Sequence, residues 1–167
     1  SNFQNFIDLE LSDKRIVWLD PCAGGDEYNP PSYTTVITED YDPYNVTSID
    51  IREDAICDIN ADYLNIDYSD KDSPDIIIST PPFYLGMEFI KKSLEVVDDG
   101  GYVIMLLRLN FFGSKSRKPF FNDNMPKYCF IHHRRISFMK GATDSIEYAH
   151  FVWQKGYNKD YTKTILI

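Results

Sequence analysis

The chain has 167 residues, of which 43% are hydrophobic and 15% aromatic, and it carries 26 acidic against 17 basic side chains for a net charge of −9. That length suffices for one domain with a sizeable core, and the composition excludes a disordered or fibrous chain. No run approaches a membrane span and no N-terminal stretch has a signal-peptide layout. The three cysteines, Cys22, Cys57 and Cys129, are odd in number and lack metal-ligand spacing, so no membrane, no metal and a reducing cytoplasm are expected.

In chain order, Phe3, Phe6, Ile7 and Leu9 form an apolar N-terminal piece that reads as a short helix. Residues 15–20 read as a strand ending in Asp20, and Pro21-Cys22-Ala23-Gly24-Gly25-Asp26 as a tight loop. A Pro- and Tyr-rich stretch follows, with a brief helix over 32–39. Residues 46–51 and 55–59 give two further strands. Ile76-Ile77-Ile78-Ser79 is a β-branched run of the kind buried on both faces of a sheet. Met87, Ile90, Leu94 and Val97 recur at helical spacing over 85–97, and Gly100-Gly101 stops that helix. Residues 102–107 form a continuous apolar strand. A polar loop spans 110–127, and the last two strands are expected at 128–138 and 147–153. Strands interleaved with helices predict a mostly parallel α/β sheet of seven strands, closed by an antiparallel C-terminal pair. Ligands of such sheets sit beyond the carboxyl ends of the strands, where Asp20, Asp50 and Thr80 fall.

The run at 76–79 stops at Thr80-Pro81-Pro82-Phe83. Neither proline has an N–H, each fixes its own φ, and Thr80 is pushed toward an extended conformation. Stiff backbone carbonyls beside an aromatic ring make a seat for a flat molecule with an amino group. The tetrapeptide resembles the [Asp/Asn/Ser]-Pro-Pro-[Tyr/Phe/Trp] signature of S-adenosylmethionine-dependent amino-methyltransferases, known best from DNA adenine methylases; Thr80 departs from it.

Asp20-Pro21-Cys22-Ala23-Gly24-Gly25 resembles the first motif of the same family. Glycines there let the backbone approach a cofactor and take positive φ, and the absence of Gly-x-Gly-x-x-Gly disfavours a dinucleotide. By resemblance this loop contacts the amino-acid end of S-adenosylmethionine, Asp50 with Ile51 lies at its ribose, and Asp62-Tyr63-Leu64 holds its adenine, Tyr63 or Leu64 covering the ring. The resemblance spans about residues 16–83 and implies a Rossmann-like class I methyltransferase fold over a single domain, 1–167, with no separate target-recognition domain. It implies Thr80, Pro81, Pro82 and Phe83 as the catalytic corner. The Pro81 carbonyl and Thr80 side chain would accept the two amine N–H bonds while Phe83 stacks on the ring.

Charge is uneven: residues 1–100 hold 6 basic and 22 acidic side chains, whereas 108–140 hold 8 basic and only Asp123. A basic sector on an acidic chain is expected to face a polyanion. Arg108, Lys115 and Arg117 are its candidate substrate contacts, and His132-His133-Arg134-Arg135 its candidate phosphate contacts. Residues 108–113 and 144–153 resemble segments of small phage and prophage adenine-type methyltransferases, and in that family's pattern Phe138 stands where an aromatic helps hold the flipped base, with core packing as its alternative. The expected function is methylation of an exocyclic amino group, adenine in nucleic acid first, with sequence-specific recognition needing a partner such as a separate specificity subunit, missing terminal segments, or a different substrate. RNA or a protein glutamine amide is the alternative acceptor, and a non-catalytic cofactor-binding module the alternative class.

Overall fold

The computed structural model describes residues 16–40, 45–134, 136 and 145–167. One sheet has the order β3-β2-β1-β4-β5-β7-β6-β8. Its strands are β1 (Trp18–Asp20), β2 (Val46–Asp50), β3 (Ile59–Asn60), β4 (Ile76–Ser79), β5 (Tyr102–Arg108), β6 (Tyr128–Ile131), β7 (Tyr148–Gln154) and β8 (Lys163–Leu166). The first five run parallel, β7 is antiparallel to both β5 and β6, and β8 is parallel to β6.

β1 and β4 are central because both faces of the sheet are covered. Ile77 packs with Leu19, Val103 and Phe89 on one face, and Ile76 and Ile78 with Trp18 and Ile104 on the other. Each fully buried isoleucine contributes roughly 1.5–3 kcal/mol relative to exposure. Helix α1 (Ser32–Asp40) covers the second face through Ile37 and Tyr33. Helix α2 (Gly86–Val96) covers the first face with Phe89, Ile90, Ser93 and Val96, the three-and-four spacing of one helical stripe. Met87 and Leu94, read from sequence as part of that stripe, flank it half-buried.

The sequence expectation of seven strands is one short. β8 is an exposed edge strand whose Lys163-Thr164-Ile165-Leu166 lacks a buried-strand pattern, and backbone pairing with β6 alone defines it. β3 lies at 59–60 instead of 55–59, and β6 stops at Ile131, where 128–138 was expected. The loop at 110–127 is largely helical: two 3-10 turns precede a short helix α3 (Lys118–Asp123) started by Pro119. The N-terminal apolar piece lies outside the described residues.

A small prediction arises in this layer. The Tyr63 hydroxyl sits 3.1 Å from the Ser93 hydroxyl inside the core. Ser93→Ala strands a buried phenol and is expected to cost about 1–2 kcal/mol in urea unfolding. Tyr63→Phe in the Ser93→Ala background removes the stranded group and recovers part of the loss.

Candidate functional site

The turn after β1 is built for close approach. Gly24 and Gly25 take φ of 65° and 78°. A Cβ on Gly25 would lie 2.7 Å from both the ring Cδ and the nitrogen of Pro31, so this position admits no side chain. The loop is fastened from β2: the Ala23 N–H donates to the Ile49 carbonyl at 2.9 Å and the Gly24 N–H to Asp50 Oδ2 at 2.8 Å. Asp50 Oδ1 accepts from the Arg52 N–H at 2.9 Å, and Arg52 Nη2 donates to the Gly25 carbonyl at 2.6 Å. Asp50 is buried and Ile51 beside it is 65% exposed. Arg52, absent from the sequence expectations, thus clamps both the glycine loop and the strand-end acid. Being adjacent to an acid in an acidic chain, it reads locally as a surface ion pair.

Asp20 closes β1 and is fully buried. Its Oδ1 accepts from the Ser79 hydroxyl at 2.7 Å and from the Cys22 N–H at 3.3 Å. Its Oδ2 has no hydrogen-bond partner among the described residues. Burial raises the Asp20 carboxyl to about 7 against the hydrogen bonds from Ser79 and Cys22, and the Asp50 charge adds to the rise. Burying a carboxylate with one unpartnered oxygen is costly, and a cationic or N–H-bearing group brought to that oxygen would offset the cost. The Cys22 thiol is pushed up to about 12 by burial and by the Asp50 and Asp20 charges, so it is no nucleophile. Pro21 is buried and Ala23 is half-buried.

Asp62 caps a 3-10 turn, accepting from the Leu64 N–H at 3.1 Å and Asn65 Nδ2 at 2.7 Å. Tyr63 does not cover a ligand ring. It is 1% exposed and its ring packs on Phe89 and Tyr68. A one-residue step around the turn puts Tyr63 in the core and leaves Leu64 half-buried at the surface, so of the two expected covers only Leu64 has the accessible side chain.

The diproline corner follows β4 directly. Pro81 is buried, Pro82 exposed, and Thr80 and Phe83 half-buried. The Pro82 carbonyl is used by the Leu85 N–H at 2.8 Å, whereas no backbone N–H among the described residues donates to the Pro81 carbonyl. The Thr80 hydroxyl is 3.3 Å from the Tyr33 hydroxyl, a contact the sequence reading lacked. The Phe83 ring lies 5.5 Å from that of Tyr148 and carries the Arg108 guanidinium over it at 4.9 Å.

Of the basic sector, Arg108 and Arg117 reach this corner. With Phe83, Tyr84, Asn110 and Phe111 they line a cavity of about 290 Å³. Arg117 Nη1 donates to the Phe111 carbonyl at 2.8 Å, and its guanidinium covers that ring at 4.3 Å. Lys115 is exposed on the neighbouring turn and does not line the cavity. His133 and Arg134 are exposed, while Phe138 and Arg135 lie outside the described residues. Among the described residues no group of three or more His, Cys, Asp or Glu is placed to hold a metal, and no helix is long and apolar enough to cross a membrane.

The strand order, the glycine turn after β1 and the strand-end acids define the Rossmann-like fold of the class I S-adenosylmethionine-dependent methyltransferases. Among solved structures, a Listeria monocytogenes protein assigned to that class superposes with a TM-score of 0.72 at 13% identity, covering 99% of this chain and 63% of its own. The M protein of the type I restriction enzyme EcoKI gives 0.56 at 16% identity over 90% of this chain and 42% of its own. TrmN from Thermus thermophilus gives 0.60 at 16% identity, over 91% and 47%. The chain therefore spans between about two fifths and just under two thirds of these proteins' lengths. No family model and no curated protein matches the sequence.

Proposed function

We propose that this chain is an S-adenosylmethionine-dependent N-methyltransferase that methylates an exocyclic amino group, with adenine in nucleic acid as the acceptor. The observation that carries the reading is the 2.7 Å hydrogen bond from Ser79 to Asp20. It ties the end of the glycine-loop strand to the residue before Thr80-Pro81-Pro82, so a methyl donor on one and an amine on the other are held side by side.

The residues fit the cofactor. The unpartnered oxygen of buried Asp20 suits its ammonium, the glycine turn lets the protein backbone approach it closely, and Ile51 and Leu64 offer apolar cover near Asp50 and Asp62. When bound, the cofactor supplies an already activated methyl group on a sulfonium. What remains for the chain is orientation and the charge that develops on nitrogen. The Pro81 carbonyl and the Thr80 hydroxyl accept the two amine N–H bonds, and Phe83, with Arg108 over its ring, flanks the acceptor base. The exposed cations of 108–140 then meet phosphate. Resemblance in fold to restriction-modification M proteins, longer than this chain, supports a nucleic-acid acceptor and a specificity function outside the described domain.

Calorimetry with S-adenosylmethionine and tritiated methyl transfer to duplex DNA, RNA and protein acceptors test this. Transfer to nucleic acid is the expected result, and transfer to protein alone overturns the acceptor. Thr80 is the residue on which a second reading rests. Its hydroxyl hydrogen-bonds the Tyr33 hydroxyl at 3.3 Å, and a Thr80 held that way and closed to an amine would leave a cofactor-binding module without transfer. Thr80→Ala removes one acceptor and is expected to lower the transfer rate about tenfold, the worth of one hydrogen bond. Thr80→Asn retains an acceptor and is expected to hold or raise the rate; parent-like rates in both variants remove Thr80 from the site.

A further inference from the structure

A row of side chains runs from the proposed acceptor corner through the second face of the sheet. Thr80 Oγ1 is 3.3 Å from the Tyr33 hydroxyl, Tyr33 is 2.8 Å from His150 Nε2, and His150 Nδ1 is 2.8 Å from His132 Nε2. His150 lies on β7, buried and opposite Phe130 of β6; His132 follows β6 and is half-buried. Neutral imidazole has one N–H and one bare nitrogen, so His150 makes the hydrogens run in one of two orders. With its proton on Nδ1 it donates to His132 and accepts from Tyr33, which accepts from Thr80. Both Thr80 lone pairs then face outward, ready for an N–H. With its proton on Nε2 every bond reverses, Tyr33 donates to Thr80, and Thr80 presents its own proton to the acceptor.

We infer that Tyr33, His150 and His132 are positioning residues that set the direction of the Thr80 hydroxyl, so that neutral His132 permits amine binding and charged His132 opposes it. Charged His132 carries a proton on Nε2, which forces the reversed order along the whole row. No net proton crosses to Thr80: each hydroxyl and His150 keep one hydrogen, and only His132 changes charge. Burial and the neighbouring His132 hold His150 down to about 3, so it stays neutral and must choose a tautomer. His132 is lowered by burial and then by His133. Among the described residues, charges outside the row that act on it include Asp20, whose charge reaches Tyr33, and His133 beside His132. The inference rests on the acceptor role proposed for Thr80.

The test has two arms. Ring-nitrogen NMR of the free protein is expected to show the His150 proton on Nδ1 at mildly alkaline pH and on Nε2 once His132 is charged. A His150 tautomer that ignores His132 overturns the inference, and this readout is independent of whether any acceptor is methylated. In methyl transfer, KM for the acceptor is expected to rise about tenfold as His132 charges, the worth of one hydrogen bond lost, with little change in kcat. Tyr33→Phe cuts the row and is expected to abolish that rise while leaving the His150 tautomer change in place. Thr80→Val cuts it at the other end with the same result. A KM rise that survives both variants, or none in the parent, overturns it.

Discussion

Asp20→Asn is expected to steepen the rise of stability with pH between about 4 and 6.5 in the cofactor-free protein, by removing the opposing Asp20 limb, while weakening S-adenosylmethionine binding at least tenfold. The Asp20 carboxyl titrates near 7 in the folded chain against 3.8 ordinarily, chiefly through burial. Between these values the folded chain holds a proton that the unfolded chain has lost, so stability falls as pH rises through this window. The loss is roughly 4 kcal/mol once the pH exceeds about 7, and it is recovered below about 4. His150 acts with the opposite sign. Its folded value of about 3 lies below 6.5, so the unfolded chain gains the proton first and stability is lost as pH falls below about 6.5. The parent profile is the sum of both. The asparagine variant keeps only the histidine limb, so the parent-to-variant difference changes sharply between about pH 4 and 7 in urea titrations. A difference independent of pH sinks the account of Asp20 as a strained buried acid. The physical source of this pH dependence is that Asp20 Oδ2 is buried with no hydrogen-bond partner among the described residues, which disfavours the charged carboxylate in the folded chain.

Gly25→Ala is expected to cost about 2–5 kcal/mol, against about 1–2 kcal/mol for Gly24→Ala. Both residues take positive φ, which an alanine adopts only with strain. They differ in surroundings. A Cβ on Gly24 meets nothing within 4 Å, whereas one on Gly25 meets Pro31 at 2.7 Å and the Asn29 carbonyl at 3.1 Å. Pro31 cannot yield freely, because its carbonyl takes the Thr35 N–H at 3.0 Å and the Thr35 hydroxyl at 2.7 Å at the start of α1. The strain therefore passes to α1 and Tyr33, and cofactor affinity falls with stability. Urea unfolding and calorimetry on the two alanine variants measure this; equal costs would remove Pro31 from the explanation.

The parts of this protein legible in its sequence are those with local causes. The triple isoleucine of β4 needs only burial on two faces. The stop at Pro81-Pro82 needs only missing N–H groups, and the turn at Gly24-Gly25 only positive φ. Helix α2 announces itself by periodicity: of the expected residues Ile90 and Val97 are buried, whereas Met87 and Leu94 are half-buried and Phe89, Ser93 and Val96 complete the buried stripe. Strand β8 was not legible, because an exposed edge strand is defined by its partner and carries no burial pattern of its own.

The wiring of the site belongs to the tertiary structure alone. Asp50 reaches Gly24 across 26 residues, Ser79 reaches Asp20 across 59, and Tyr33 reaches His150 across 117. Each pairing depends on which strands become neighbours, and strand order is chosen by global packing. The same holds for Tyr63 and Leu64: sequence puts both beside the cofactor motif, but the turn capped by Asp62 decides which one faces the core. Sequence chose the residue types that this chemistry needs, and the sheet chose their partners, because a hydrogen bond acts over about 3 Å whatever the separation along the chain.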